Sequence, residues 1–286
     1  YSLFDDDRSY RPMGGQFFKA TPIESYRGCP YQCAFCNSPM QVTLSKEAKI
    51  GNFVRRSPIE KMRNYLASVV EQVQPTYIIF VDDSFLARPK RETEEFCKMY
   101  EEYKIPFWFN TRPETVTSGL LQMLKEVNCH RMSFGVECGN EEFRRKRLLR
   151  GQKNEHIIET FEIIANAGIP FSVNNIIGFP NETLGMIFDT IKLSEQMNLD
   201  WHNLSILQPW KNTPIYDSMV EEGLLGEEEG TLKTDDNKTA PYMLGTYSRQ
   251  RAIEKGLIQQ SHFGEKEGTN QGFLERFEIA NFGEVT

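Results

Sequence analysis

Three cysteines, Cys29, Cys33 and Cys36, fall within eight residues of one another, while Cys97, Cys129 and Cys138 are scattered along the chain. That asymmetry is not a disulfide framework, which a chain of 286 residues would not need for stability. It fits a metal site in a reducing compartment. Iron-sulfur clusters normally take four cysteine thiolates, so a close trio with no fourth thiolate nearby points to a cluster with one iron open to a further ligand. The competing chemistry is a zinc knuckle. Zinc sites usually pair Cys-x2-Cys hooks, however, and no second hook exists here; His130, His156, His202 and His262 show no metal spacing either.

Other residues suited to chemistry stand at the ends of apolar runs. Asp82-Asp83-Ser84-Phe85 offers two carboxylates that could accept hydrogen bonds from an ammonium group, or could form an acidic turn or helix cap. Glu137 closes the run Ser133 to Val136 and needs a partner if buried. Asn110 and Arg112 follow a third apolar run, and Arg112 is suited to anchor an acidic group. His202 and Asn203 are candidate substrate contacts. Gly178-Phe179-Pro180 reads as a strand-ending turn, and Glu182-Thr183 as the start of a helix. Cys97 and Cys129 sit among apolar residues and read as small core residues. The basic run Arg144, Arg145, Lys146, Arg147 and Arg150 reads as the solvated face of a short helix.

Positioning these groups falls to an alternation of short β-branched or aromatic runs with longer amphipathic stretches, at a repeat of roughly 30 residues, as in consecutive βα units of a parallel sheet. The predicted strands are Phe17 to Ser25, Tyr77 to Val81, Pro106 to Thr111, His130 to Val136, Ile169 to Ile177 and Trp201 to Leu207. Between them, helices are expected from Ser57 as N-cap with Pro58 at the first helical position, from Pro89 to Tyr103, around Leu120 to Val127, around Ile157 to Ala167 ended by Gly168, and from Glu182 to Met197. A short extra helix is expected over Asn140 to Leu149. The sum is an α/β fold, an open partial (β/α)6 TIM-like barrel, whose chemistry gathers at the carboxyl ends of its strands.

Cys29-Pro-Tyr-Gln-Cys33-Ala-Phe35-Cys36 resembles the Cys-x3-Cys-x-aromatic-Cys motif of the radical S-adenosylmethionine (SAM) superfamily, and Glu24-Ser-Tyr-Arg-Gly-Cys-Pro-Tyr-Gln-Cys33 resembles its cobalamin-binding branch. Four later segments are similar to that family in the same order: Asp82 to Phe85, Gly135 to Cys138, Ile176 to Thr183 and Gln208 to Tyr216, with Cys138 where Ser is usual and Asn174 and Asn212 where Gly is usual. Asn, like Gly, tolerates a left-handed backbone at position 212. The resemblance implies a 4Fe-4S cluster on Cys29, Cys33 and Cys36 with SAM on the open iron. Reductive cleavage of SAM then gives a 5'-deoxyadenosyl radical. It further implies that Phe35, Asp82, Asp83, Glu137, Arg150, Ile176 and Gln208 contact SAM. Methylation of an unactivated carbon with cobalamin is the expected reaction, although the Asp-x-His-x-x-Gly cobalamin motif is not in this sequence. A cobalamin-independent enzyme of methylthiotransferase, oxidase or cyclase type is the alternative, and a non-catalytic iron-sulfur electron carrier the alternative of another class.

The net charge of −7 argues against a broad phosphate-neutralising surface, so no nucleic-acid partner is expected. No apolar run reaches the roughly 18 residues of a membrane span. The expected setting is the cytoplasm, with an unknown substrate and an electron donor such as a flavodoxin or ferredoxin. Residues 1–22 are expected to be a linker or N-terminal extension, 23–217 the core and 218–286 a C-terminal extension that covers substrate, its acidic stretch from Glu221 to Asp236 reading as a solvated loop. Opening at Tyr1, the chain is expected to be a piece of a longer protein.

Overall fold

The computed structural model describes residues 9–197, 199–225, 231–233 and 239–241. A hairpin comes first: β1 (Tyr10–Met13) and β2 (Gln16–Ile23) pair antiparallel around Gly14-Gly15, both with positive φ, as a tight hairpin turn requires. β3 (Tyr26–Arg27), α1 (Asn37–Glu47), β4 (Arg55–Arg56) and α2 (Ile59–Val73) then lead to β5 (Tyr77–Phe80). The βα rhythm continues through α3 (Lys90–Tyr100), β6 (Phe107–Thr111), α4 (Ser118–Glu126), β7 (Cys129–Glu137), α5 (Glu141–Lys146), α6 (Asn154–Ala167), β8 (Phe171–Ile177), α7 (Leu184–Glu195), β9 (Trp201–Ile206) and α8 (Pro214–Glu221). These elements lie in one compact unit, residues 1–222; in the other, residues 223–286, β10 (Thr231–Lys233) and β11 (Thr239–Pro241) form an antiparallel pair.

The main sheet runs β1-β2-β5-β6-β7-β8-β9, with β2 and the five strands after it parallel to their neighbours. It is the partial barrel of six parallel units that the sequence predicts, with β1 added at one edge. The central parallel strands β5 to β8 each give alternate residues to the core: Ile78 and Phe80, Phe107 and Phe109, Met132 and Phe134, Phe171 and Val173 pack against Leu66, Phe96, Leu124 and Phe161 of the helices. Phe85 stacks on Phe109 with ring centroids 4.4 Å apart, and Phe80 and Phe96 meet edge-on at 5.3 Å. Such pairs add about 0.5–1.5 kcal/mol each beyond area burial. The opposite strand faces carry Ile79, Trp108, Asn110, Ser133, Gly135 and Asn174, a mixed apolar and polar inner surface.

Several local expectations change. α1 is an additional helix, immediately after the cysteines, where the sequence predicts none before Ser57. Its only buried residues are Ser38 and Ser45, so it has no apolar stripe to announce it. Pro39 is tolerated there because first-turn N–H groups lack intrahelical partners. α2 begins one residue later than expected: Pro58 is the N-cap, and Ser57 donates its backbone N–H to Ser25 O. α8 is a further addition, with Thr213 capping it and Pro214 at the first helical position. Gly168 ends α6 in the left-handed conformation, as expected. In the basic run, Arg145 and Lys146 are exposed as expected, whereas Arg144 and Arg150 are buried and correct the reading of the run as a solvated face. Arg144 is fully buried and donates to Cys138 O, Gln152 O and Asn154 Oδ1, because the residue after β7 and the entry to α6 converge on it. Cys97 and Cys129 are buried in the core. Glu227 to Glu229, Asp235, Asp236 and His262 lie outside the described residues.

Candidate functional site

The cysteine loop leaves the carboxyl end of β2, and four separate attachments hold it in place. β3 pairs with β4 through Tyr26 and Arg56. Gly28 turns with φ +82°, where a Cβ would come within 3.0 Å of Phe53 and Val54. Ala34 N–H donates to Leu148 O at 3.1 Å, and Ile215 N–H of α8 donates to Ala34 O at 3.1 Å. The fourth attachment is Asp82, beyond β5. Its Oδ1 accepts from Ser25 N and Tyr26 N at 2.7 and 3.1 Å; its Oδ2 accepts from Ser25 Oγ at 2.6 Å and Arg88 Nη2 at 2.8 Å. Burial raises the Asp82 pKa, and Arg88 and the loop donors oppose the rise.

All three loop cysteines are free thiols. Cys36 caps α1, its sulfur accepting from Ser38 N at 3.5 Å. Burial pushes the Cys29 thiol up to about 11 and raises that of Cys36, so holding thiolates here calls for positive charge. Guanidinium groups supply it at Cys33, whose sulfur accepts from Arg112 Nη1 at 3.1 Å and Arg150 Nη1 at 3.4 Å. Among the described residues no group of three His, Cys, Asp or Glu side chains could hold a single metal ion. Three free thiols on one loop, one of them met by two guanidiniums, fit an iron-sulfur cluster, which would be held by cysteine thiolates.

Glu137 and Arg150 meet at the end of β7. Glu137 is buried with φ +75°, a left-handed conformation that costs an ordinary side chain roughly 1–2 kcal/mol, and its Oε1 lies 3.8 Å from Arg150 Nη1. Burial raises its carboxyl pKa against the pull of Arg150 and Arg112. Gly135 makes the room, since a Cβ there would fall 2.2 Å from Glu137 Oε1. Phe35 meets Phe179 edge-on at 5.8 Å, joining the cysteine loop to the turn after β8. That turn is held by Glu182 Oε2, which accepts from the N–H groups of Gly178 and Phe179.

The structure therefore brings Phe35, Glu137 and Arg150 to the cysteine loop. Asp83 joins them at the exposed side: Ser38 Oγ lies 3.4 Å from its Oδ2 and accepts the Cys29 N–H, and the two line a cleft of about 220 Å³ with Glu24, Arg27, Asn37 and Gln41. Asp82 is buried with its oxygens occupied by Ser25, Tyr26 and Arg88, which leaves Asp83 the exposed carboxylate of the pair. Ile176 is half-buried near the end of β8, and Gln208 is exposed beyond β9. Asn212 adopts φ +64°, as its place in the turn predicts. His202 Nε2 pairs with Asn175 Nδ2 at 2.7 Å, and Asn203 donates to Asn174 Oδ1. Sequence reasoning missed Arg88 and the grip of Arg112 on Cys33, since neither has a spacing signal relative to the cysteines.

Residues 23–194, more than half of the chain, match the sequence model described as the radical SAM superfamily. An uncharacterised methyltransferase of Pyrococcus horikoshii is 25% identical over 208 residues, covering 71% of this chain and 42% of that protein. The hopanoid C-2 methylase of Rhodopseudomonas palustris is 22% identical over 227 residues, covering 76% and 39%. Among solved structures, the radical SAM methyltransferase TsrM of Kitasatospora setae with cobalamin and a [4Fe-4S] cluster bound superposes with a TM-score of 0.61 at 13% identity, covering 76% of this chain and 40% of that one. The cobalamin-dependent radical enzyme OxsB gives 0.57 at 16% identity, covering 90% and 44%. The chain spans about two fifths of the length of the curated relatives it matches.

Proposed function

Because this chain belongs to the radical SAM superfamily, we propose that it is the catalytic core of an enzyme that cleaves SAM reductively at a 4Fe-4S cluster held by Cys29, Cys33 and Cys36. The observation that carries the reading is the convergence of those free thiols, two guanidiniums and buried Glu137 on one loop at the carboxyl edge of the sheet. When bound, the cluster supplies the electron that breaks a C–S bond of SAM at the open iron and so yields the 5'-deoxyadenosyl radical.

The chain's own residues bind and orient. Asp83, exposed beside Ser38, has free acceptor sites for the ammonium group of SAM. Arg150 is placed to balance a carboxylate and Glu137 to accept hydrogen bonds from ribose hydroxyls or the ammonium. Phe35 and Ile176 are apolar neighbours for adenine, and Gln208 is the outermost candidate. Asp82 holds the loop in register and does not touch SAM.

Methyl transfer with cobalamin is the favoured onward reaction, supported by relatives called methyltransferase and methylase and by the cobalamin of the TsrM and OxsB structures. A cobalamin domain would lie in sequence outside this chain. Domain bounds near 23–217 describe the core, although β2 reaches back to Gln16 and α8 runs on to Glu221, which favours slightly wider limits. Among the described residues no helix is long and apolar enough to cross a membrane. An electron donor of flavodoxin or ferredoxin type acting in the cytoplasm completes the reading.

The test is anaerobic reconstitution with iron and sulfide, then SAM and a strong reductant, assaying 5'-deoxyadenosine. Production that disappears when any of the three loop cysteines becomes Ala is expected; stoichiometric zinc without SAM cleavage would reject the reading. Bound cobalamin in the full-length gene product is the separate check on methyl transfer.

A further inference from the structure

Cys33 differs from the other two loop cysteines in what its sulfur meets. Cys36 receives the backbone N–H of Ser38, and the Tyr31 backbone N–H lowers the Cys29 pKa against burial. Cys33 receives two guanidiniums, and only one of them, Arg150, is accounted for by its place beside Glu137. Arg112 comes from the end of β6 and is 7% exposed. Its guanidinium lies 3.7 Å from the centroid of the Tyr31 ring, and its Nε donates to Glu114 Oε1 at 2.5 Å. Stacked on a ring and anchored at Nε, the planar fork has one direction left for Nη1, toward the sulfur. Tyr31 lies between Cys29 and Cys33, so the same loop carries the thiolate and the platform that aims its donor.

We propose that Arg112 is a positioning residue for the cluster, hydrogen-bonding the Cys33 ligand so that its thiolate orientation is fixed and the reduction potential is raised. The inference rests on the reading of the trio as cluster ligands. The sign follows from electrostatics: reduction adds a negative charge to the cluster and its sulfurs, and an N–H donor from a cation stabilises that extra charge more than the oxidised state. Glu114 does not cancel the effect, because it bonds Nε while Nη1 faces the sulfur at close range. The other side of Arg112 lines an open cavity of about 420 Å³ with Glu114, Gln152 and His156, so an uncharged side chain of similar length fits there without displacing the loop.

The measurement is a redox titration of the reconstituted full chain, followed by electron paramagnetic resonance without SAM, with iron content determined in parallel. Arg112→Met keeps length and contact with Tyr31 but removes every donor. Its iron content is expected to match wild type, and its reduction equilibrium constant to fall about tenfold, about 59 mV for a one-electron couple. Arg112→Lys, which keeps the charge as a single point, and Tyr31→Leu, which removes only the platform, are expected to shift the potential the same way by less. An intact cluster in Arg112→Met with the wild-type potential overturns the proposal. Should that variant hold no cluster, the lysine and Tyr31 variants decide: a lowered potential supports the proposal and unchanged potentials overturn it. A wild-type chain that assembles no cluster would overturn the proposed function itself and this inference with it, so the two failures are distinguishable.

Discussion

Asp82 and Asp83 are adjacent, chemically identical and assigned to different tasks. A carboxylate has about four acceptor positions, and Asp82 fills four, with Ser25 N, Ser25 Oγ, Tyr26 N and Arg88 Nη2. Nothing remains for a ligand. Its side chain is fully buried and that of Arg88 is 7% exposed, so Asp82→Ala leaves a buried cation unpaired. Breaking a buried pair in that way costs about 3–5 kcal/mol. We expect Asp82→Ala to lower the denaturant midpoint and, because the cysteine loop loses its anchor, to lower iron content as well. Asp83→Asn should leave stability and iron content unchanged and weaken SAM binding by about tenfold, as loss of one charge-assisted hydrogen bond would. Equilibrium dialysis of SAM against the two reconstituted variants separates the roles, and equal loss of SAM binding at constant iron would contradict the assignment. The sequence shows two carboxylates at a strand end and cannot show which turns inward, since that is decided by Ser25 and Tyr26, more than fifty residues earlier. The cysteine trio is legible for the opposite reason: its chemistry is local, with all three thiols in one loop.

At the level of elements, the strands β5 to β8 and the helices with an apolar stripe are legible because burial leaves an apolar pattern in the sequence. α1 leaves none, since it buries two serines, and β1 is four residues long with a mostly exposed pattern. Arg144 escapes for a related reason, its three acceptors lying just after β7 and at the entry to α6, a convergence that no periodicity records. The junction between β7 and α7 shows what elements impose on a residue. Gly139 follows β7, and a Cβ there would lie 2.3 Å from Asp189 O and 2.4 Å from Thr190 Cα, both parts of helix backbone that cannot give way. The Gly139 N–H also donates to Thr190 Oγ1 at 2.8 Å. Gly139→Ala should therefore push α7 from the sheet end that carries Glu137, at a cost toward the upper part of the about 1–3 kcal/mol range for overpacking. Gly151→Ala is the matched control, because a Cβ at Gly151 meets nothing within 4 Å. Denaturant unfolding should show a large loss for the first variant and almost none for the second.

Taken whole, the sheet is an open one, and its first edge is fastened by an aromatic cluster that spans three strands. Phe18 of β2 lies 4.9 Å from Tyr77 of β5 and 5.9 Å from His130 of β7, and the Tyr77 hydroxyl is 3.0 Å from His130 Nδ1. Burial lowers the His130 pKa below the usual 6.5, and the positive charge of Arg131 lowers it further. The neutral imidazole is thus the form the folded chain prefers. The unfolded chain takes up a proton as pH falls through about 6.5, before the folded one does, so stability contributed by this cluster is fully present above that value and is lost on acidification toward the lower folded pKa. Other groups titrate across the same range, and a comparison isolates this one: His130→Gln keeps a hydrogen-bonding group without titration. The midpoint of thermal unfolding of the wild-type chain should fall more steeply between pH 7 and about pH 5 than that of His130→Gln. Parallel curves for the two proteins would show that folding does not shift the titration of this imidazole, and the cluster would then add no pH dependence to the stability.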